Sequence, residues 1–180
     1  MSRAAVFLDR DGVLSAAVVH DGRPYPPSTA EDLAVLPGVA EACRRLAEAG
    51  LALIVITNQP DIARGTTHPA TVAAINERLM EQLELDEVVV CPHDDTDGCP
   101  CRKPKPGMLI EASERWRIDL ASSVTVGDRW RDVDAGRAAG TRTVFVDRCY
   151  NERGPESPDL TVGELHESVP WILKTTSLRP

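Results

Sequence analysis

The segment from Val6 to Leu14 constrains the fold more than any other part of the chain, because a strand-like run ends there in two carboxylates. Ala5 to Leu8 are apolar, and Asp9 and Asp11 follow with one arginine between them. Gly12 then permits a tight turn. A short apolar run closed in this way is typical of a buried parallel strand, and open α/β sheets bind ligands at the carboxyl ends of such strands. Two carboxylates held together at that edge predict a bound divalent cation, and such a cation favours a phosphate group as its ligand.

Strand-like and helix-like segments alternate along the rest of the chain. Further strands are predicted at 51–57, 88–90, 124–126 and 143–146, with a possible edge strand at 160–162, and helices are predicted after each of the first four strands and at the end of the chain. This alternation predicts a doubly wound, mostly parallel, Rossmann-like α/β sheet with helices on both faces. We expect residues 1–180 to form a single domain. The proline-rich segment 15–34 is predicted to be a loop over the mouth of the sheet.

Polar side chains follow three of the predicted strands and should meet at one edge of the sheet. The first strand is followed by Asp9 and Asp11, the second ends in Thr57, Asn58 and Gln59, and the fourth is followed by Asp128. Each of these residues alone is better explained as a turn or cap residue. Asp132 and Asp134 are expected on the solvated face of the helix that follows Asp128. The joint occurrence of polar groups at three strand ends nevertheless favours an active site.

The acidic residues can carry phosphate ester hydrolysis. Asp9 is placed to act as the nucleophile that accepts the phosphoryl group. Asp11 can protonate the leaving alkoxide and later deprotonate the attacking water. Asp9, Asp11 and Asp128 are predicted to hold Mg²⁺, with the backbone near Asp11 and water completing its coordination. The expected activity is that of a magnesium-dependent phosphomonoesterase.

The phosphoryl oxygens need donors and a positive charge as well. Thr57 can donate a hydrogen bond to one of them, and either Lys103 or Lys105 can neutralise the charge that develops. The net charge of the whole chain is −8. An acidic protein can still contain a small basic pocket, so this charge does not exclude a phosphate site.

A cysteine-rich loop at 91–101, inserted after the third strand, carries a second metal signature. Cys91, His93, Cys99 and Cys101 supply three thiolates and one imidazole, which is a complete tetrahedral set for a structural zinc ion. Disulfides are disfavoured because the sequence has no secretory signal, so a cytoplasmic setting is expected. We expect the folded zinc loop to position Arg102 and Lys103 over the phosphate site.

Composition argues against several other classes of protein. The net charge of −8 opposes a nucleic-acid-binding zinc module, and no apolar run is long enough to cross a membrane. A receiver domain would share the sheet and an aspartyl phosphate, but it has no zinc loop and its phosphoacceptor lies on a different strand from its acidic pair. We expect a monomer that acts on a small phosphorylated sugar or amino-alcohol.

The sequence resembles the haloacid dehalogenase superfamily of phosphatases. FLDRDGVL, ITNQ, CRKP and VGDRWRD occur in the order of its four motifs, from Val6 to about Val146. The resemblance implies these roles: Asp9 as nucleophile, Asp11 as acid/base, Thr57 as the hydrogen-bond donor of the second motif, Lys103 as the lysine of the third motif and Asp128 as magnesium ligand. The absence of a long insertion implies no large cap domain and therefore an open site.

Within that superfamily, a zinc loop joined to CRKP resembles two families. One removes the 7-phosphate of D-glycero-D-manno-heptose 1,7-bisphosphate, and the other hydrolyses histidinol phosphate. TNQPDIARG and KPKPGML are closer to the heptose family, whereas the length of the zinc loop matches the histidinol family. The heptose bisphosphate is the favoured substrate. The expected substrate contacts are Asn58, Gln59, Arg102, Arg129 and His20.

Overall fold

The computed structural model of the protein describes residues 3–177 and is built on a six-stranded parallel sheet. In chain order the strands are β1 (Ala5–Leu8), β2 (Val18–His20), β3 (Arg23–Tyr25), β4 (Ala52–Asn58), β5 (Glu87–Cys91), β6 (Val124–Gly127), β7 (Arg142–Val146) and β8 (Leu160–Val162). Six of them pair in parallel in the order β5-β4-β1-β6-β7-β8, while β2 and β3 form a separate antiparallel hairpin. The predicted doubly wound parallel sheet is confirmed.

Helices cover both faces of the sheet. They are α1 (Val39–Glu48), α2 (Pro69–Gln82), α3 (Gly107–Trp116), α4 (Trp130–Ala139) and α5 (Leu165–Ser177). Apolar side chains of α1, α2 and α5 pack in one core cluster, and those of α3 and α4 pack in a second cluster. Among residues 3–177, no helix combines the length and apolarity needed to cross a membrane.

The central position of β1 determines where the polar strand ends meet. All four of its residues are fully buried, as expected for a strand that is covered on both faces. Leu8 lies beside Val55 of β4 on one side and beside Val126 of β6 on the other. The backbone N–H of Asp9 donates to the carbonyl of Val126 at 2.9 Å. The residues that follow these three strands therefore emerge at the same level.

The segment 15–34 contains more regular structure than the sequence predicted. Its β2–β3 hairpin turns at Asp21 and Gly22, whose φ angles are +51° and +72°. An Asp-Gly pair readily adopts two successive positive φ angles, which suits a two-residue hairpin turn. The prediction of an irregular loop was wrong because it rested on the prolines of the segment and did not take the Asp21-Gly22 pair into account. Pro24 and Tyr25 line the mouth of the cavity described below, so the hairpin does lie over the sheet edge.

Candidate active site

A cavity of about 340 Å³ opens at the carboxyl edge of the sheet. Of the residues predicted to form a site, it is lined by Asp9, Asp11, Thr57, Asn58, Gln59, Arg102, Lys103 and Arg129. Asp128 lies beneath it and is almost fully buried. His20 is exposed on β2 against the ring of Tyr25 and does not line the cavity.

Three acidic side chains and one lysine cluster at the floor of the cavity and just beneath it. Carboxylate oxygens of Asp9, Asp128 and Asp132 lie within 4.8 Å of one another. The Lys103 ammonium contacts Asp9 Oδ1 at 2.7 Å, Asp132 Oδ1 at 2.6 Å and the Ile56 carbonyl at 2.7 Å. Burial alone would lower the pKa of Lys103, but the Asp132 and Asp9 carboxylates outweigh it and raise that pKa, so the lysine is charged.

The placement of Asp132 corrects the sequence analysis. It was expected on a solvated helix face, yet it is only 2% exposed. Its Oδ2 accepts from the Arg129 backbone N–H at 3.0 Å, which directs its Oδ1 to Lys103. A Cβ atom on Gly127 would lie 2.0 Å from the Cβ of Asp132, so glycine is required there. Asp132 lies in the first turn of α4, four residues after Asp128 at the end of β6, and this short spacing was the signal that could have found it.

The carboxylate of Asp128 has the character of a cation ligand. Both of its oxygens are buried without a hydrogen bond of good geometry, and the Tyr150 hydroxyl beside them only partly offsets their burial. A Cβ atom on Gly12, where φ is +92°, would lie 1.8 Å from Asp128 Oδ2, so the turn after β1 must be glycine. Burial, and then the charges of Asp9 and Asp132, raise the pKa of Asp128 well above its usual value. Burial also raises the pKa of Asp9. Three acids with one lysine fit a divalent cation, which would satisfy these orphaned oxygens.

This surplus of buried carboxylates predicts a pH dependence for the metal-free protein. Folded Asp128 keeps its proton to a higher pH than unfolded Asp128, whose pKa is near 3.8. Between the raised folded-state pKa and 3.8 the folded state binds more protons than the unfolded state, so the free energy of unfolding rises as pH falls through that interval. The gain is at most about 1.4 kcal/mol per pH unit for one proton. Urea unfolding in the presence of a chelator measures it.

Asp128→Asn is the matched variant for that measurement. It removes the titrating carboxyl while keeping its size, so the slope of unfolding free energy against pH should become shallower. An unchanged slope in Asp128→Asn would show that other groups cause the pH dependence.

Asp11 lines the cavity but stays outside the acidic cluster. The Arg10 guanidinium donates to its two oxygens, from Nε at 3.0 Å and from Nη2 at 2.8 Å. Gln59 Nε2 donates to Asp11 Oδ2 at 3.1 Å, and Ser15 Oγ lies 3.4 Å from Oδ1. The side chain is thus held beside Asp9 without joining the oxygens that could share a cation. The predicted contribution of Asp11 to the metal site stays a prediction.

The end of β4 supplies a donor and two supporting amides. Thr57 is buried, and its hydroxyl oxygen accepts from Gln59 Nε2 at 2.8 Å, which leaves the hydroxyl proton free to donate into the cavity. Asn58 donates to the Lys103 carbonyl and accepts from the Lys103 N–H, both at 3.1 Å. These two bonds fix the backbone of Lys103. The polar atoms of Asn58 are therefore engaged by the protein, and its substrate contact stays a prediction.

The cysteine-rich loop brings its four predicted ligands together. Cys101 Sγ lies 3.1 Å from Cys91 Sγ and 3.4 Å from Cys99 Sγ, and His93 Nδ1 lies 3.3 Å from Cys101 Sγ. A zinc tetrahedron with Zn–S bonds of about 2.3 Å has S–S edges of about 3.8 Å. The Cys91–Cys99 separation of 3.8 Å matches this edge, and the two separations from Cys101 are shorter. Burial and the neighbouring thiols raise the pKa of Cys101 to about 12. Three thiolates can lie this close together only around a cation, and the donor set would fit zinc.

Acidic residues of the same loop hold arginines at the rim of the cavity. Arg102 donates to Asp95 at 2.8 Å and to the His93 carbonyl at 3.1 Å. Arg131 also donates to Asp95, at 2.9 Å. Arg64 forms a two-pronged pair with Asp94 at 2.7 and 2.8 Å and, as the leading cause, lowers the pKa of Asp94 to about 2. The cysteine-rich loop therefore orients the side chains of three cavity-lining arginines.

Two of these arginines were missed by the sequence analysis. Arg64 follows the end of β4 within the segment TNQPDIARG, and Arg131 lies one position after Trp130 at the start of α4. No local pattern separates them from ordinary surface arginines, because their role depends on contacts with a distant loop. Arg129, which was predicted, pairs with the Glu152 carboxylate beyond β7.

The fold and the site define a class of protein. A parallel sheet whose carboxyl edge carries a buried aspartate–lysine pair, a hydroxyl donor and an acidic metal cluster is the arrangement of a hydrolase that acts on phosphate esters. A model of the haloacid dehalogenase-like hydrolase family matches residues 28–140. The chain belongs to this hydrolase family.

More specific relatives cover nearly the whole chain. A D-glycero-beta-D-manno-heptose-1,7-bisphosphate 7-phosphatase of Pseudomonas aeruginosa is 40% identical over 151 residues, which are 81% of this chain and 82% of the relative. The Vibrio cholerae enzyme of the same name is 36% identical and covers 97% and 98%. A crystal structure of a D,D-heptose 1,7-bisphosphate phosphatase from B. bronchiseptica complexed with magnesium and phosphate has a TM-score of 0.80 at 31% identity, covering 95% and 98%.

Proposed function

We propose that this protein is a magnesium-dependent phosphomonoesterase that removes the 7-phosphate of D-glycero-D-manno-heptose 1,7-bisphosphate through a phosphoaspartate at Asp9. The observation that carries the proposal is the buried Lys103 ammonium, 2.7 Å from Asp9 Oδ1 at the floor of an open cavity. The ammonium opposes the burial that raises the pKa of Asp9, and so favours the ionised carboxylate that a nucleophile requires.

The proposed reaction has two steps. An oxygen of Asp9 attacks phosphorus, the bond from phosphorus to the sugar oxygen breaks, and Asp11 gives its proton to the departing alkoxide. Asp11 then takes a proton from water, whose oxygen attacks phosphorus and breaks the bond to Asp9. Thr57 and Lys103 bind the phosphoryl oxygens during both steps. The products are inorganic phosphate and the dephosphorylated sugar alcohol.

Mg²⁺ would be held by Asp9, Asp128 and the backbone near Asp11. The Asp132 carboxylate lies within 4.8 Å of the Asp9 and Asp128 carboxylates and would orient the groups around the ion. When bound, the ion offsets the repulsion between the anionic nucleophile and the anionic phosphate. A crystal structure of a similar phosphatase that contains magnesium and phosphate supports this assignment.

The choice of substrate rests on the relatives and on the rim of the cavity. Relatives named as heptose-1,7-bisphosphate 7-phosphatases span most of this chain at 32–40% identity. Arg64, Arg102 and Arg131 line the cavity beyond Lys103 and suit a second anionic group on the substrate. These arginines already pair with Asp94 and Asp95, so a second anionic group would bind through their remaining N–H donors, which a monophosphorylated amino-alcohol would leave unused.

Phosphate release across three substrates tests the assignment. The panel contains heptose 1,7-bisphosphate, histidinol phosphate and fructose 1,6-bisphosphate, each assayed with Mg²⁺. We expect the highest kcat/KM for the heptose bisphosphate. A higher kcat/KM for histidinol phosphate would assign the protein to the alternative family, and the absence of phosphate release from all three would reject the phosphatase proposal.

The zinc loop is proposed to support Lys103 without taking part in bond breaking. Cys99→Ser removes one of the four ligands, and it should lower kcat/KM about 10- to 100-fold by loosening the segment that carries Arg102 and Lys103. Metal analysis of the purified variant, together with phosphate release, checks the prediction.

Cys149→Ser is the matched control for the zinc prediction. Cys149 is exposed and outside the loop, so its loss should change neither zinc content nor turnover. Full activity in a Cys99→Ser protein verified to contain no zinc would contradict the proposed role of the loop.

We also propose that the chain works as one domain and as a monomer in a reducing cytoplasm. Helices on both faces of the sheet pack against strands from both halves of the sequence. The cysteines in the described part of the chain are free thiols, which suits a reducing compartment.

A further inference from the structure

Arg10, between the two aspartates of the first motif, is the largest fully buried side chain among the described residues. Each nitrogen of its guanidinium has a partner: Nε and Nη2 donate to Asp11, and Nη1 donates to Asn76 Oδ1 at 2.7 Å. A buried arginine is costly unless its donors are satisfied, and here two of the three bonds end on one carboxylate.

Asn76 anchors this arginine from a distant element. It lies in the interior of α2, 66 residues from Arg10, and is only 8% exposed. The neighbouring Ile75 and Leu79 are buried in the apolar cores, so the helix face that carries Asn76 is fixed by packing. An amide at this position cannot be explained by helix propensity or by solvation. Its identified contact is the hydrogen bond to Arg10.

We infer that Asn76 and Arg10 form a positioning pair that fixes the carboxyl group of Asp11 for proton transfer to the leaving group. The inference rests on the proposed function and deepens it. The backbone carbonyl of Arg10 accepts from the N–H groups of Leu14 and Ser15 at 2.9 and 3.0 Å, so the turn cannot shift to compensate for a misplaced side chain. The two-pronged pair from Arg10 sets the plane of the Asp11 carboxyl group.

A purely structural role for the pair makes a different prediction. Structural damage at the base of the site would impair phosphoryl transfer from every substrate by a similar factor. Loss of a positioned proton donor impairs only those substrates whose leaving group must be protonated. A sugar alkoxide needs that proton, whereas 4-nitrophenolate leaves without it at neutral pH. The ratio of the two reactions therefore reports on Asp11 itself.

The experiment compares kcat/KM for the best sugar phosphate with kcat/KM for 4-nitrophenyl phosphate. The value of kcat/KM depends only on the steps up to and including departure of the leaving group. The rate of the later hydrolysis of the phosphoaspartate therefore does not affect it. Asn76→Leu removes the acceptor at similar size, Asn76→Asp keeps an oxygen acceptor for Arg10, and Arg10→Lys keeps the charge but loses the two-pronged contact. Glu77→Ala, at the exposed next position of α2, is the control.

We expect Asn76→Leu and Arg10→Lys to lower kcat/KM for the sugar phosphate about 10- to 100-fold and to change that for 4-nitrophenyl phosphate less than about threefold. Asn76→Asp and Glu77→Ala should stay near the wild type with both substrates. If Asn76→Leu does not fold, Arg10→Lys alone decides between the two roles.

Equal losses with both substrates, or an Asn76→Asp variant as impaired as Asn76→Leu, would overturn the inference while leaving the phosphatase proposal intact. A wild-type protein that hydrolyses neither substrate would instead overturn the proposed function, and the inference with it.

Discussion

Asp9→Asn should abolish phosphate release, with a fall in kcat of at least about 10⁴-fold, because the amide cannot attack phosphorus. The substitution keeps the size of the side chain and an oxygen that accepts from Lys103, which also retains its contact with Asp132 at 2.6 Å. The free energy of unfolding should therefore stay within about 1 kcal/mol of the wild type. Phosphate release and urea unfolding measure the two effects.

The intermediate gives this prediction a second readout. Rapid acid quenching of the wild type during turnover should trap a phosphorylated protein, and Asp9→Asn should trap none. Asp134→Asn is the matched control, since Asp134 lies on α4 outside the cavity and pairs with Arg153 at 3.4 Å. Substantial turnover by a folded Asp9→Asn protein would rule out Asp9 as the nucleophile.

Lys103→Met should impair both stability and activity. Lys103 is 2% exposed and is the counter-ion of Asp9 and Asp132, so its loss leaves two buried carboxylates uncompensated. Breaking a buried ion pair in this way costs about 3 to 5 kcal/mol of unfolding free energy. The loss of a cation at the phosphoryl oxygens should lower kcat about 10²- to 10³-fold. Urea unfolding without Mg²⁺ at pH 7.5 and steady-state kinetics with Mg²⁺ measure the two losses.

Lys105→Met separates this effect from a general loss of charge in the loop. Lys105 is exposed and donates to the carbonyls of Gly98 and Cys99 rather than to the acidic cluster. Its substitution should change the free energy of unfolding by no more than about 0.5 kcal/mol. Equal effects of Lys103→Met and Lys105→Met would contradict the assignment of Lys103 to the site.

The sequence predicted the parts of the site that follow from local pattern. An apolar run such as Ala5 to Leu8 must be buried, and a parallel sheet places the residues after its strands at one edge. Asp9, Thr57 and Asp128 were found in this way, and the spacing of Cys91, His93, Cys99 and Cys101 identified a tetrahedral ligand set. In each case neighbouring residues along the chain carry the information.

Contacts between distant elements could not be obtained from such patterns. The residues alone left Lys103 and Lys105 as equal candidates, and only the resemblance to a family favoured one. In the structure, Lys103 reaches Asp9 across 94 residues because the bonds from Asn58 fix its backbone. Asp132 was assigned to solvent because α4 alone does not reveal which of its faces meets the lysine.

The amino-acid sequence by itself thus determined the parallel sheet, the edge at which the polar side chains meet and the two groups of potential metal ligands. Only the tertiary structure decided which lysine contacts Asp9, which acid joins Asp9 and Asp128 in the cluster and what holds Asp11. The physical reason is that burial and periodicity act on near neighbours in the chain, whereas the direction of a buried charged side chain is set by partners that packing brings from elsewhere.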